Sequence, residues 1–425
     1  MSFLMPKMIE VRQAYPTSPR LDLQRILGEE FEKQALNSGI SSGMRIAVGV
    51  GSRGIANLKE IVEAAIRVLI RAGAQPFVIP AMGSHGGATP EGQTKVLAEY
   101  GITAESLGVP IDADMDVKKI GTAPDGREVV FSAAALRADG IVVINRIKPH
   151  TDFRGTLGSG IQKMLAIGLG KQIGAANAHR AAAHIGYEAV IREFAKVALE
   201  NVRVLCGIAV LEDQHHQTSE IHVLPPDVIV SREHLLFERS RSLMPHLPLD
   251  EIDLLIVDEI GKEISGTGMD TNIIGREITG YSTSLQQANR TTPQIARIFV
   301  RDLSHATNGN GIGIGLADFT TDRAVNALDL GSMYMNATTS LGLNAAKIPI
   351  HFASDREAVH TALVSVASSH PEMIRVVRIV NTLSLERTLV SECCTEMLGS
   401  RPGVTIVGQA RAMQFDQAGN LLPIF

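Results

Sequence analysis

The chain has 425 residues, room for two domains of ordinary size, with 45% hydrophobic and 20% charged residues, the balance of a protein that buries a core. A net charge of −5, no basic block and only 4% aromatic residues argue against a nucleic-acid surface or a sugar-stacking cleft, and leave a small anionic ligand open. Three cysteines (Cys206, Cys393, Cys394) make neither a disulfide framework nor a zinc ribbon. No apolar run reaches the ~18 residues of a membrane span and the N-terminus lacks a signal-peptide core, so a cytoplasmic location is expected.

In chain order, RIAVGV (45–50) predicts a buried strand, GSRG a turn, Asn57 an N-cap, and NLKEIVEAAIRVLIRAG a helix that Gly73 ends. Lys59, Glu63, Arg67 and Arg71 form a polar stripe, with Ile61, Ala64, Ala65, Val68 and Leu69 on the apolar one. QPFVIPAMGSH supplies the next strand, which completes a βαβ unit and implies a parallel sheet. Thr89 and Pro90 open another helix, and APDG (123–126) turns a hairpin between VKKIGT and REVVFS. ADGIVVINRIKPH and VRVLCGIAVLED predict buried strands, and the glycine-rich stretch 154–180 between them becomes helical near its end. MPHLPLDEID, with two prolines and a charge cluster, places a boundary near 245–250. Beyond it come the strand DLLIVDEIG, a helix over TDRAVNALDLGSMYMNATTS, the strand KIPIHFAS, a helix over REAVHTALVSVASS, and strands near RVVRIV and ERTLVS. The expected organisation is an α/β domain over 1–247, a second over 248–403, and a hairpin tail, 404–425, that can return to the first.

Three segments carry chemistry. In VGVGSRGIANL, Gly51, Ser52, Arg53 and Gly54 lead from a strand into a helix, which suits a phosphate but equally describes an ordinary βα turn. In AMGSHGGATPEGQ, His85 stands past a strand's carboxyl end among Gly83, Gly86, Gly87 and Gly92; it either faces a ligand or is satisfied by a loop carbonyl. In INRIKPHTDFRGTLGSGIQKMLAIGLGKQIGAANAH, the residues Lys148, His150, Asp152, Arg154, Lys163, Lys171 and His179 lie among glycines. A glycine-rich loop of this length inside a domain is usually functional. His85 and His150, at the ends of what read as neighbouring parallel strands, can face one cleft, and paired imidazoles suit proton transfer on opposite sides of a carbon.

Two strand-end histidines, a lysine after Gly-Ser-Gly and a histidine sixteen positions later resemble the lactate racemase family, of which this chain looks like a divergent member. The resemblance implies two Rossmann-like α/β domains with an active-site cleft between them. It implies an isomerase, a racemase or epimerase of a small 2-hydroxy acid, that uses a nickel-pincer nucleotide supplied by cofactor-biosynthesis enzymes. On that resemblance Lys163 matches the lysine that holds the cofactor covalently, and His179 matches the protein ligand to nickel. His85 and His150 match the acid/base pair, and Arg53 matches an arginine near cofactor and substrate. One imidazole takes the hydroxyl proton as hydride leaves the α-carbon; hydride returns to either face of the keto acid, and the other imidazole serves the mirror arrangement.

After the predicted strand of the second domain, GKEISGTGMDTNIIGRE offers Lys262, Asp270, Asn272 and Arg276 to a substrate, Lys262 and Arg276 being candidates for its carboxylate. Other readings stay open. Histidines with Asp152 could hold zinc for a hydrolase. The first domain could bind a diffusible dinucleotide for a dehydrogenase, although Gly49, Gly51 and Gly54 do not spell G-x-G-x-x-G. A non-catalytic protein could bind the nucleotide or a hydroxy acid.

Overall fold

The computed structural model describes residues 5–51, 54–278 and 293–425. Its strands are β1 (Lys7–Gln13), β2 (Arg45–Val50), β3 (Gln75–Pro80), β4 (Val117–Thr122), β5 (Glu128–Ser132), β6 (Gly140–Arg146), β7 (Val204–Glu212), β8 (Thr218–Leu224), β9 (Glu251–Ile260), β10 (Gln294–Leu303), β11 (Phe319–Thr321), β12 (Ile350–Phe352), β13 (Val376–Ile379), β14 (Arg387–Ser391) and β15 (Val404–Ala412). Contacts divide the chain into an N-terminal unit, residues 16–150 with 154–244, and a C-terminal unit of residues up to Tyr15, 151–153 and 245–425.

The N-terminal unit is built on a sheet of order β3-β2-β6-β7-β8. The first four strands are parallel and β8 returns antiparallel to β7. Residues 46–50 and 140–145 are buried throughout, as continuous apolar runs require in a sheet covered on both faces. The helix Leu58–Arg71 joins β2 to β3 and buries Ile61, Ala64, Ala65, Val68 and Leu69. Its polar stripe is a run of ion pairs, Lys59–Glu63 at 3.6 Å and Arg67–Glu63 at 3.4 Å. Asn57 does not cap this helix as expected: it is left-handed (φ +55°), and its side chain accepts a bond from Thr218 Oγ1 at 3.0 Å instead. The expected hairpin over 117–132 forms as β4–β5, apart from the main sheet.

The C-terminal unit carries the order β12-β11-β10-β9-β13-β14-β1-β15. It is parallel from β12 to β13 and antiparallel from there to β15. Two expectations change here. Residues 7–13, assigned by sequence to the first domain, lie between β14 and β15, and the tail 404–412 pairs with them, so it does not return to the N-terminal unit. The single helix expected over 321–340 is two, Asp322–Asn326 and Leu330–Ser340, because Asp329 folds back to accept the amides of Gly331 and Ser332. Among the described residues no helix is long and apolar enough to cross a membrane.

A buried ion network pins the end of the chain to this sheet. Asp355 is fully buried and accepts from Arg301 Nε (2.8 Å), Arg323 Nη2 (3.3 Å) and the Leu421 amide (2.8 Å). Arg378 pairs with Asp258 at 2.8 Å and donates to the Leu422 carbonyl at 2.8 Å. Removing the shared carboxylate takes one partner from Arg301, which keeps Asp258 at 3.2 Å, and one from the part-exposed Arg323, which keeps Asp302 at 2.6 Å, and it removes the acceptor of the Leu421 amide. Asp355→Ala is therefore expected to lower stability by about 1–3 kcal/mol in urea unfolding. An unchanged midpoint would show that the network holds nothing.

Candidate active site

The sheet order fixes where a ligand can sit. The chain runs from β2 to β3 on one side and reaches β6 on the other, so the order reverses between the carboxyl ends of β2 and β6. Open α/β sheets bind ligands in the crevice at such a reversal. Gly51 leaves β2 there, and a Cβ on it would stand 3.0 Å from Asn145 Oδ1 and 3.2 Å from Met164 Cε. Past it, the Gly54 amide donates to the Tyr100 hydroxyl (3.0 Å) and the Ala56 amide to Glu212 (2.8 Å). Arg146 joins Glu212 in an ion pair and donates to the Gly54 carbonyl at 3.0 Å. Protein groups therefore meet two amides of the expected phosphate turn. Ser52 and Arg53 lie outside the described residues.

The loop after β6 brings two candidates into contact. Lys148 and Ser159 exchange backbone bonds of 3.1 and 2.8 Å, which closes the chain between them and returns it beside His150. Asn145 donates to the Gly160 carbonyl at 2.8 Å. The glycines of Gly158-Ser159-Gly160 are needed for packing: a Cβ at 158 would meet the Lys148 carbonyl at 2.2 Å, and one at 160 would meet Glu233 Oε1 at 1.9 Å. A helical turn, Ile161–Lys163, starts immediately after and widens into a π turn at Met164–Gly168, a distortion frequent at functional sites. Lys163 Nζ ends in direct hydrogen-bond contact with His150 Nε2, both side chains half-buried.

His85 follows β3. It and His150 do not stand on neighbouring strands as expected, because β2 runs between β3 and β6. The His85 backbone is held by its amide on the Met82 carbonyl (3.2 Å) and its carbonyl under Gln93 Nε2 (3.3 Å). The Gly83 amide donates to the Gly168 carbonyl (3.1 Å), and a Cβ on Gly83 would touch Ala175 at 3.5 Å. Ala175 and His179 are one turn apart on the helix Lys171–Ile185, hence on one face, so the loop carrying His85 packs on the face that carries His179. His179 Nδ1 meets the Tyr187 hydroxyl at 2.8 Å, with the rings edge to face at 81°.

Sequence reasoning gave no role to Tyr187, Gln93, Lys171 or Glu233. Glu233 is fully buried on the helix Ile229–Ser242, and its carboxylate accepts the Gln162 amide at 3.0 Å, at the start of the turn that carries Lys163. Burial pushes its carboxyl up to about 7 against that amide bond. One signal was available: a glutamate inside VIVSREHLLFERS falls between the apolar positions Ile229, Leu236 and Phe237.

In the C-terminal unit the proposed substrate residues have local partners. Lys262 Nζ donates to the Gly266 carbonyl (2.7 Å), and Asp270 caps the turn Thr271–Ile274 and accepts from Asn272 Nδ2 (2.9 Å). Arg276 pairs with Asp318 at 2.6 Å and donates to the Leu316 carbonyl at 2.6 Å. Among the described residues no three His, Cys, Asp or Glu side chains are grouped to hold a metal ion, so the zinc-hydrolase reading finds no ligand set there.

Residues 7–222 match the lactate racemase N-terminal domain family. Among solved structures, the chain is similar to the lactate racemase apoprotein from Thermoanaerobacterium thermosaccharolyticum at 14% identity and a TM-score of 0.44, covering 89% of this chain and 99% of that one. No curated protein matches.

Glu233 gives this region a pH signature. Between the ordinary 4.5 and about 7 the folded chain holds a proton that the unfolded chain releases, so stability falls as pH rises through that window. The full difference amounts to roughly 3 kcal/mol. Urea unfolding at pH 5 and pH 8 should show this loss in the wild type and little of it in Glu233→Gln; equal slopes in both proteins would sink the assignment.

Proposed function

The chain belongs to the lactate racemase family, and from that premise we propose that it inverts the α-carbon of a 2-hydroxy acid, with His85 and His150 as acid/base residues, Lys163 as covalent anchor of a nickel-pincer nucleotide and His179 as its protein ligand. Membership supports racemase or epimerase chemistry in general. The observation that carries the finer reading is the Lys163–His150 contact, which joins the proposed anchor and a proposed base across a glycine loop at the sheet's reversal point.

The residues present fit the group. Acyl attachment needs an amine without its extra proton, and an imidazole in contact with Lys163 Nζ can take that proton. One imidazole suffices as protein ligand when the other donors belong to the nucleotide, and imidazole suits nickel. The Tyr187 hydroxyl at His179 Nδ1 is the kind of outer partner that fixes a ligating ring. When bound, the group supplies a place to which the α-hydrogen can leave as hydride and from which it can return.

The chain itself supplies proton transfer and orientation. His85 and His150 follow β3 and β6, which flank β2, and two strand spacings amount to about 10 Å. The loops that carry them thus start on either side of β2, an arrangement that lets two imidazoles serve opposite faces of one small carbon centre. An imidazole can take the hydroxyl proton as a carbonyl forms and give it back as the hydroxyl re-forms. Lys262, Asp270, Asn272 and Arg276 are the proposed substrate residues, with Lys262 and Arg276 for its carboxylate.

The test uses protein co-expressed with cofactor-making enzymes. Intact mass should show a nucleotide-sized adduct with nickel, both lost in Lys163→Ala. A chiral assay across 2-hydroxy acids should show inversion, reduced about 10²- to 10⁴-fold in His85→Ala with the adduct retained. His150→Ala, which also removes the imidazole in contact with Lys163 Nζ, should lower both inversion and the yield of adduct. No adduct removes the cofactor; an adduct without inversion or α-hydrogen exchange across the panel removes the racemase reading.

A further inference from the structure

Lys171 is an anomaly that none of the proposed chemistry uses. It is 0% exposed, yet opens the helix Lys171–Ile185 with a left-handed backbone (φ +54°) that glycine would adopt without strain. Its amine reaches the Pro80 carbonyl at 2.8 Å and Gln93 Oε1 at 3.4 Å, while Asp112 and Asp114 act on it only from a distance. Burial pulls that amine down to about 8. An apolar side chain would spare the chain the cost of an amine out of water.

The amine's partners show what it does there. Gln93 is also 0% exposed, and its Nε2 donates to the Gly83 carbonyl at 2.8 Å and the His85 carbonyl at 3.3 Å. Lys171 and Gln93 thus link the end of β3, the loop 83–85 and the helix that carries His179 through polar atoms closed off from water. The loop also carries short-range backbone bonds, His85 amide to Met82 carbonyl and Ala88 amide to His85 carbonyl, both at 3.2 Å, and three of its glycines, Gly83, Gly86 and Gly87, take positive φ within five residues.

We propose that Lys171 and Gln93 form an internal strut that positions His85 for proton transfer, Lys171 being a positioning residue. The proposal rests on the reading of His85 as an acid/base residue. At neutral pH the folded chain bears part of the cost of the buried amine, because its pKa is lowered; stability tied to this group is regained only as pH rises from about 8 toward the ordinary 10.5. Lys171→Met removes that cost but takes the donor from the Pro80 carbonyl and Gln93 Oε1, two opposing effects, so the melting temperature should change little while the loop loosens.

The experiment compares wild type, Lys171→Met and Gln93→Met as full chains by hydrogen–deuterium exchange, following amides 82–88 and the C2 hydrogen of His85, with His351 as internal control. Melting temperatures are taken alongside, and kcat and KM on the cofactor-loaded enzyme with whichever 2-hydroxy acid the wild type inverts. The strut predicts exchange about tenfold faster at 82–88 and at His85, the worth of one or two buried hydrogen bonds, with β2 and β6 unchanged. It also predicts a fall in kcat with KM held. Unchanged loop exchange in both variants overturns the proposal, as does faster exchange spread through the whole unit, which would mark general packing. If the loop responds as stated but the wild type inverts no 2-hydroxy acid, the strut stands and the racemase reading falls.

Discussion

Two backbone hydrogen bonds between Lys148 and Ser159 hold the site together. They close a loop of the chain onto the end of β6, and everything proposed for Lys163 follows from that closure. Without it, the start of the helical turn at Ile161 would rest on the bond from Asn145 to the Gly160 carbonyl and the bond from the Gln162 amide to Glu233 alone. The closure in turn needs positions 158 and 160 to lack side chains, since a Cβ on either would collide with the Lys148 carbonyl or Glu233. The Gly-Ser-Gly motif is a packing requirement first, and through packing a chemical one.

The sheet order is the second constraint. A βαβ unit that steps to one side of β2, followed by a return to the other side, leaves a crevice that no strand fills. Past Gly51 the amides of Gly54 and Ala56 are engaged by Tyr100 and Glu212, and the loops after β3 and β6 leave the sheet on either side of that turn. Around them sits a layer of buried polar groups (Gln93, Lys171, Glu233) in which two of the three have a pKa displaced by desolvation. Such groups lower stability on their own account, and their place at the starts of two successive helical segments, Glu233 at Ile161–Lys163 and Lys171 with Gln93 at Lys171–Ile185, marks where the fold gives up stability for position.

Much of this was legible in the chain. The strands 45–50, 75–80, 140–146 and 204–212 are continuous apolar runs, and burial on both faces is the reason such runs exist. The helix 58–71 was legible because ion pairs four residues apart need one exposed face. What failed depended on partners distant in sequence. Asn57 had the right residue type for a cap, but Thr218 claims it. The helix break at Asp329 needs a side chain to turn back on its own backbone in a run that otherwise reads as one helix. The intervening strand between those of His85 and His150, the pairing of His179 with Tyr187 across the break at Gly186, and the docking of β1 against β14 and β15 are facts of topology, and no local periodicity encodes them.

The position of β1 has a consequence for biosynthesis. Topologically, residues 16–244 are an insertion between β1 and β9 of the other unit's sheet. On a ribosome adding about 5–20 residues per second, β1 emerges tens of seconds before either strand that flanks it. The inserted unit contains all its own strands and can close its core while the rest is still being made. The eight-stranded sheet cannot, and its first strand must wait with both edges unpaired until β14 and β15 arrive. The nascent chain is thus most exposed to aggregation after its N-terminal unit has already formed.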